Sequence, residues 1–200
     1  MKKIAIYGGS FDPPHKGHKA LAFNLAQKCG AEKVVVMPTA MSPFKNKSGA
    51  STDDRLNMCR LNFCDDLFEV SDIEIKRGGK SYTVDTVTAV KELYPDSQLY
   101  LFMGDDMLLS FHRWYEYRKI MSMCTLVAAC RTEDMAELDT MKSYAHDVLS
   151  DDGTGVIICS SVPIEISSTE IRNQLKSGED SEKLLPEVNG YIKLRGLYRE

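Results

Sequence analysis

Two histidines three positions apart, set in a turn of glycines and prolines, are the first groups in this chain with a chemistry to explain. His15 and His18 close the segment Gly8-Gly9-Ser10-Phe11-Asp12-Pro13-Pro14-His15-Lys16-Gly17-His18, which joins an apolar run, Ile4-Ala5-Ile6-Tyr7, to a stretch of helical spacing. The glycines permit a tight turn and close approach of a ligand to the backbone. The prolines stiffen the turn and fix how the chain enters the helix. At a helix start, both imidazoles and the first-turn amides can face one anion, and phosphate explains the arrangement best. Two other readings stay open on the residues alone. A His-x-x-His pair is a metal-ligand spacing, although no Cys or carboxylate elsewhere has a matching interval, and the histidines can also be purely structural.

A second group of phosphate-binding type stands near the other end, in Ile166-Ser167-Ser168-Thr169-Glu170-Ile171-Arg172. Ser168 and Thr169 offer hydroxyls and first-turn amides, and Arg172 offers a charged fork suited to phosphate oxygens. The plain alternative is a capping box, Ser or Thr followed by Glu. Lys45 is a third cation, which by itself reads as a solvated loop charge. Thr83, in Ser81-Tyr82-Thr83-Val84-Asp85-Thr86, opens a helix and can present amides to a carboxylate. In Gly104-Asp105-Asp106, the Asp106 carboxylate can bind ribose hydroxyls or orient a neighbour. Phe111-His112-Arg113-Trp114-Tyr115 holds the single tryptophan, a stacking surface for an aromatic ring or else a half-buried core residue. His112 and His146 read as surface or packing residues.

Short apolar runs alternating with helical spacings must position these groups. Ile4–Tyr7 reads as a buried strand. Leu21, Ala22, Leu25, Ala26 and Cys29 then mark a helix with Gly30 as its C-cap. Val34–Met37 is a strand halted by Pro38, followed by a loop over 39–51 and a helix capped by Ser51 or Thr52 that carries Leu56, Cys59 and Phe63. Phe68, Val70, Ile73 and Ile75 predict a third strand ended by Gly78-Gly79. From about Thr83 a helix places Val84, Val87 and Leu93 on one face, until Pro95. Leu99–Met103, Leu126–Ala129 and Val156–Cys159 are further strands, and Met135, Leu138, Met141, Ala145 and Leu149 another helix. Six β-then-α units predict an α/β protein with a mostly parallel sheet and helices on both faces. Such sheets bind ligands at the carboxyl ends of their strands, near a switch in strand order. With no internal repeat or linker, a single domain over 1–200 is expected, with a small C-terminal helical portion at about 168–200.

Bulk properties narrow the class. The 200 residues carry a net charge of -4, with 43% hydrophobic and 27% charged side chains, which argues against a general nucleic-acid binder. Cysteines at 29, 59, 64, 124, 130 and 159 include no pair with the two-residue gap of a zinc ribbon or redox motif. The apolar stretch behind Met1-Lys2-Lys3 dies at Gly8-Gly9, so no signal peptide is expected. No run approaches the roughly 18 apolar residues of a membrane span. A cytoplasmic protein with reduced thiols, no nucleic-acid partner and no membrane contact is expected.

Gly9-Ser10-Phe11-Asp12-Pro13 followed by His15-Lys16-Gly17-His18 resembles the signature of the nucleotidyltransferase superfamily related to class I aminoacyl-tRNA synthetases. Ile166–Arg172 resembles its second phosphate-binding signature. With the Thr83, Gly104–Asp106 and Phe111–Tyr115 segments added, nearly the whole chain is similar to the bacterial nicotinate mononucleotide adenylyltransferases. The resemblance implies a Rossmann-like, doubly wound fold. It implies adenylyl transfer from ATP, as its Mg²⁺ complex, to nicotinate mononucleotide, giving nicotinate adenine dinucleotide and pyrophosphate in NAD biosynthesis. By the same resemblance His15 and His18 would be catalytic, meeting the α- and β-phosphates. Gly9, Ser10, Phe11, Lys45, Gly104, Asp106, Arg131, Ser168, Thr169 and Arg172 would bind ATP. Thr83, Asp106, Trp114 and Tyr115 would bind the nicotinate nucleotide. The chain departs from the family at Phe44, where a His often stands, which puts a polar contact there in doubt.

Alternatives keep the chemistry and change the acceptor to nicotinamide mononucleotide, riboflavin phosphate or phosphopantetheine; transferases for the last resemble shorter versions without the Trp114 region. From other classes come a non-catalytic nucleotide sensor, which would be expected to have lost a histidine or Arg172, and a synthetase fragment, which would need a tRNA-binding appendage and a basic surface. A homo-oligomer is left open.

Overall fold

The computed structural model describes residues 1–41, 49–130, 135–150, 153, 155–160 and 166–199. Lys45, Phe44 and Arg131 lie outside the described residues. The strands are β1 (Lys3–Gly9), β2 (Lys33–Pro38), β3 (Phe68–Val70), β4 (Gln98–Gly104), β5 (Thr125–Cys130) and β6 (Val156–Ser160). The helices are α1 (Lys16–Cys29), α2 (Thr52–Asn62), α3 (Ile73–Arg77), α4 (Thr83–Leu93), α5 (Asp105–Leu108), α6 (Tyr117–Met123), α7 (Met135–Asp147), α8 (Ser168–Leu175) and α9 (Pro186–Arg195).

One sheet runs in the order β3-β2-β1-β4-β5-β6. Its pairings of β1 with β4, β4 with β5, and β5 with β6 are parallel, in registers such as Tyr7↔Phe102 and Phe102↔Val127. Successive residues of β1, β2, β4 and β5 are buried on alternating sides. Strands covered on both faces are written as continuous apolar runs, which is why these four are plain in the sequence. This is the Rossmann-like α/β arrangement. Strand order reverses between β1 and β4, and the segments Gly8–His18 and Gly104–Asp106 follow on these two strands in the chain.

Two expectations are corrected. The third strand stops at Val70, and Ile73–Arg77 is a short helix instead. The Ser71 hydroxyl accepts the Ile73 N–H, and Lys76 pairs with Asp72 one turn back at 3.0 Å. In α4, Val84, Val87 and Val90 are buried while Leu93 is 61% exposed. At 100° per residue Leu93 falls opposite Val84, so Val90 completes the apolar face.

The chain forms two compact units, each drawn from three stretches: Met1–Tyr7, Leu21–Val35 and Tyr82–Ile164 in one, Gly8–Ala20, Val36–Ser81 and Glu165–Glu200 in the other. The first contains the β4-β5-β6 half of the sheet and the packing of α4 on α6. The second has its own core, in which Met58 of α2 meets Ile171 and Leu175 of α8 and Val188 and Ile192 of α9. Tyr191 Oη and Arg195 Nε donate to Asp54 Oδ1 at 2.9 and 3.1 Å, tying α9 to α2. Among the described residues no helix is long and apolar enough to cross a membrane.

Candidate active site

The turn after β1 is held from beneath by an aromatic stack. Phe11, buried and at φ +46°, packs edge-on against His18 at 5.1 Å and against Phe63 at 5.6 Å between centroids. Its ring lies against Gly9: a β-carbon there would come within 2.9 Å of Phe11 Cζ. Gly9 therefore admits the ring that supports His18. Arg55, buried on α2, donates to the carbonyls of Ser10 at 2.7 Å and Thr39 at 2.6 Å, bracing the turn from the other side.

His15 and His18 stack with ring centroids 3.6 Å apart and an interplanar angle of 20°. Each backbone N–H donates to Nδ1 of the other ring, at 3.3 and 3.2 Å. A ring that accepts at Nδ1 carries its hydrogen on Nε2 when neutral, so the pair is set as two Nε2–H donors. Burial first, and then the charge of Lys183, lower the His15 pKa to about 4. At neutral pH His15 is thus an uncharged donor. The Lys16 N–H donates to the Lys183 carbonyl at 3.0 Å, and the His18 N–H also reaches the His15 carbonyl at 3.0 Å. Of the amides at this helix start, those of His15, Lys16 and His18 are engaged within the chain.

The carboxyl-end cluster meets this turn directly. Arg172 Nη1 donates to the Asp12 carbonyl at 2.7 Å, and Ser168 Oγ donates to the Pro13 carbonyl at 3.0 Å. Arg172 Nη2 donates to Thr169 Oγ1 at 3.1 Å. Two segments 160 residues apart are therefore joined by hydrogen bonds in one unit. The capping reading is also realised, one residue earlier: Ser167 is the N-cap of α8 and accepts the Glu170 N–H at 3.1 Å. Glu170 itself pairs with Lys183 at 3.1 Å. Sequence reasoning missed the residues that hold the turn, namely Asp12, Arg55, Tyr198 and Asn62, whose Nδ2 donates to the His15 carbonyl at 3.4 Å. Arg55 gave no signal in the sequence, where a lone Arg reads as solvated.

The segments read for the acceptor lie in the other unit. Thr83 begins α4, and the preceding Tyr82 ring sits 5.0 Å from that of Tyr115, which brings the start of α4 beside the Trp114-Tyr115 turn. Trp114 is half-buried, 5.1 Å from the buried Phe111 ring, and Tyr115 is exposed. Gly104 is buried at the end of β4, and Asp106 is exposed in the first turn of α5. His112 bonds Tyr144 Oη through Nδ1 at 2.7 Å, and exposed His146 pairs with Asp147, as expected of packing and surface residues. Among the described residues no group of three His, Cys, Asp or Glu side chains could hold a metal ion.

Residues 6–174 match the cytidylyltransferase-like family model. A Clostridium tetani protein named "probable nicotinate-nucleotide adenylyltransferase" is 34% identical, with all of both chains covered. A Dehalococcoides mccartyi protein of the same name is 37% identical over 98% of this chain and 97% of its own. Among solved structures, Plasmodium falciparum nicotinic acid mononucleotide adenylyltransferase complexed with NaAD superimposes with a TM-score of 0.75, at 20% identity, over 99% of this chain and 98% of that one. At that identity the likeness speaks for the fold.

Proposed function

This chain belongs to the cytidylyltransferase-like family and, within it, to the nicotinate-nucleotide adenylyltransferases, and from that premise we propose that it transfers the adenylyl group of ATP to nicotinate mononucleotide, releasing pyrophosphate. The observation that carries the reading is the union of the turn after β1 with the Ser168-Thr169-Arg172 cluster. Two polar segments so far apart in sequence gain a common purpose if both face one polyphosphate.

The acceptor phosphate is a monoester with a second pKa of about 6, so near neutrality it is largely dianionic and needs no general base. One of its oxygens attacks the α-phosphorus of ATP. The bond from that phosphorus to the oxygen bridging to the β-phosphate breaks, and the electron pair leaves with pyrophosphate. The barrier lies in bringing anions together, so the work of the chain is positioning and charge stabilisation. His15 and His18 donate Nε2–H to the α- and β-phosphate oxygens. Lys45, Ser168, Thr169 and Arg172 hold the β- and γ-phosphates and the departing pyrophosphate. Gly9, Ser10 and Phe11 shape the turn against which the triphosphate lies, and Gly104, Asp106 and Arg131 receive the adenosine end. Thr83, Asp106, Trp114 and Tyr115 bind the nicotinate nucleotide, with Trp114 stacking on the pyridine ring.

A divalent cation, which we take as Mg²⁺, arrives with ATP as part of the substrate and lowers its charge, held by phosphate oxygens and water. Imidazole N–H, hydroxyl and guanidinium donors are anion-binding groups, which suits a cation carried by the nucleotide. Six free thiols fit a reducing cytoplasm. The chain is proposed to work as one nucleotidyltransferase domain, without nucleic acid or membrane. The test is a pyrophosphate-release assay with ATP and Mg²⁺ that compares nicotinate mononucleotide, nicotinamide mononucleotide and phosphopantetheine. Preference for nicotinate mononucleotide is expected. Preference for phosphopantetheine would overturn the acceptor, and no release with any of them would overturn the reaction.

A further inference from the structure

Asp12 is held at both ends. Its carbonyl accepts Arg172, and its buried carboxylate accepts three donors: the Gly49 N–H on Oδ2 at 2.6 Å, the Ala50 N–H on Oδ1 at 3.1 Å, and the phenol of Tyr198 on Oδ1 at 2.6 Å. Tyr198 reaches this point from beyond the end of α9, with its backbone in the left-handed region at φ +60°. A non-glycine residue holds that conformation only where its surroundings fix it. The ring packs where Gly49 has no side chain: a β-carbon on Gly49 would lie 3.0 Å from Tyr198 Cε1 and 3.5 Å from Arg172 Cδ. The Tyr198 ring and the Arg172 stem thus share one niche, and both end on Asp12.

We infer that Tyr198 is a positioning residue for ATP, acting through Asp12 to fix the turn that carries His15 and His18 and the guanidinium of Arg172. The inference rests on the reading of this turn as the triphosphate site. Burial and the neighbouring Asp12 carboxylate push the Tyr198 phenol far above its ordinary range, so it stays a donor throughout the working pH. A hydrogen bond to a carboxylate shut away from water is of the stronger kind. Replacing the phenol by phenyl keeps the packing against Gly49 and removes the donor by which Tyr198, beyond the end of α9, reaches the Asp12 carboxylate.

The experiment measures Tyr198→Phe in the full chain. Its KM for ATP, and its Kd for a non-hydrolysable ATP analogue by calorimetry, are expected to rise about tenfold, as loss of a charge-assisted bond implies. The KM for nicotinate mononucleotide should stay within about twofold. A role limited to stability would lower the amount of active protein and leave both KM values alone, so that outcome overturns the inference, as does an equal rise in both. If Tyr198→Phe does not fold, Asp12→Asn with Tyr198 intact removes the carboxylate that the phenol meets, and its amide nitrogen also takes the place of one oxygen that accepts the Gly49 or the Ala50 N–H. The same ATP-selective rise is then expected, and its absence is fatal. Where both fold, the double variant should be no worse than the poorer single one; additive losses would mean that Tyr198 does not act through Asp12. Analogue binding is read without turnover, so wild-type protein that binds ATP but transfers nothing would sink the proposed reaction and leave this test standing.

Discussion

A histidine sealed from water gives up its charge, and His15 does so beside Lys183, with its pKa lowered from 6.5 to about 4. Between those values the unfolded chain binds a proton that the folded one refuses, so stability rises with pH across this window. The contribution is complete above about pH 6.5 and is lost as pH falls toward 4; its full size is at most roughly 3 kcal/mol. Urea unfolding midpoints of the wild type and of His15→Gln, taken from pH 4 to 7, should therefore converge at low pH as the wild type loses its advantage. Parallel profiles would show that His15 is not the group responsible. At this scale the sequence shows which side chains carry chemistry, because His, Arg and Trp are rare enough for their spacing to stand out. It hides what holds them. Asp12 looks like an ordinary turn residue, and nothing about Tyr198 announces that its phenol closes on a carboxylate 186 positions away.

The two glycines that end β1 look alike in sequence but play different parts in the element. A methyl group on Gly8 would meet nothing closer than the Met37 carbonyl at 4.0 Å, whereas on Gly9 it would strike the Phe11 ring at 2.9 Å. Phe11 cannot swing away easily, since it is buried between His18 and Phe63. Gly9→Ala should then cost about 1–3 kcal/mol by overpacking, with Gly8→Ala within about 0.5 kcal/mol of wild type. Thermal and denaturant midpoints read the difference, and equal losses from the two would refute the packing argument. The central strands were legible because a strand buried on both faces is an unbroken apolar run. Ile73–Arg77 was not, since five residues span little more than one helical turn, and Ile73 and Ile75 satisfy a strand alternation equally well. Leu93 misled for a related reason: an apolar residue near a helix end was counted by type, while its angle around the axis decides what it touches.

The whole molecule divides its proposed tasks between units that are each woven from three separate stretches of chain. His15, His18, Ser168, Thr169 and Arg172 share one unit, and Thr83, Trp114 and Tyr115 share the other. If these groups do what we propose, the kinetic constants should separate along the same line. His18→Ala removes a donor to the α- and β-phosphates and should slow turnover about a hundredfold, the usual consequence of losing one preorganised donor to developing charge. The folded protein and its KM for nicotinate mononucleotide should be unchanged. Trp114→Ala removes a stacking face and should raise that KM about tenfold while the KM for ATP moves no more than about twofold. Steady-state kinetics with each substrate varied in turn measure all four constants. Should Trp114→Ala weaken ATP as much as the acceptor, the indole is holding the fold and not a pyridine ring, and the division of labour fails with it.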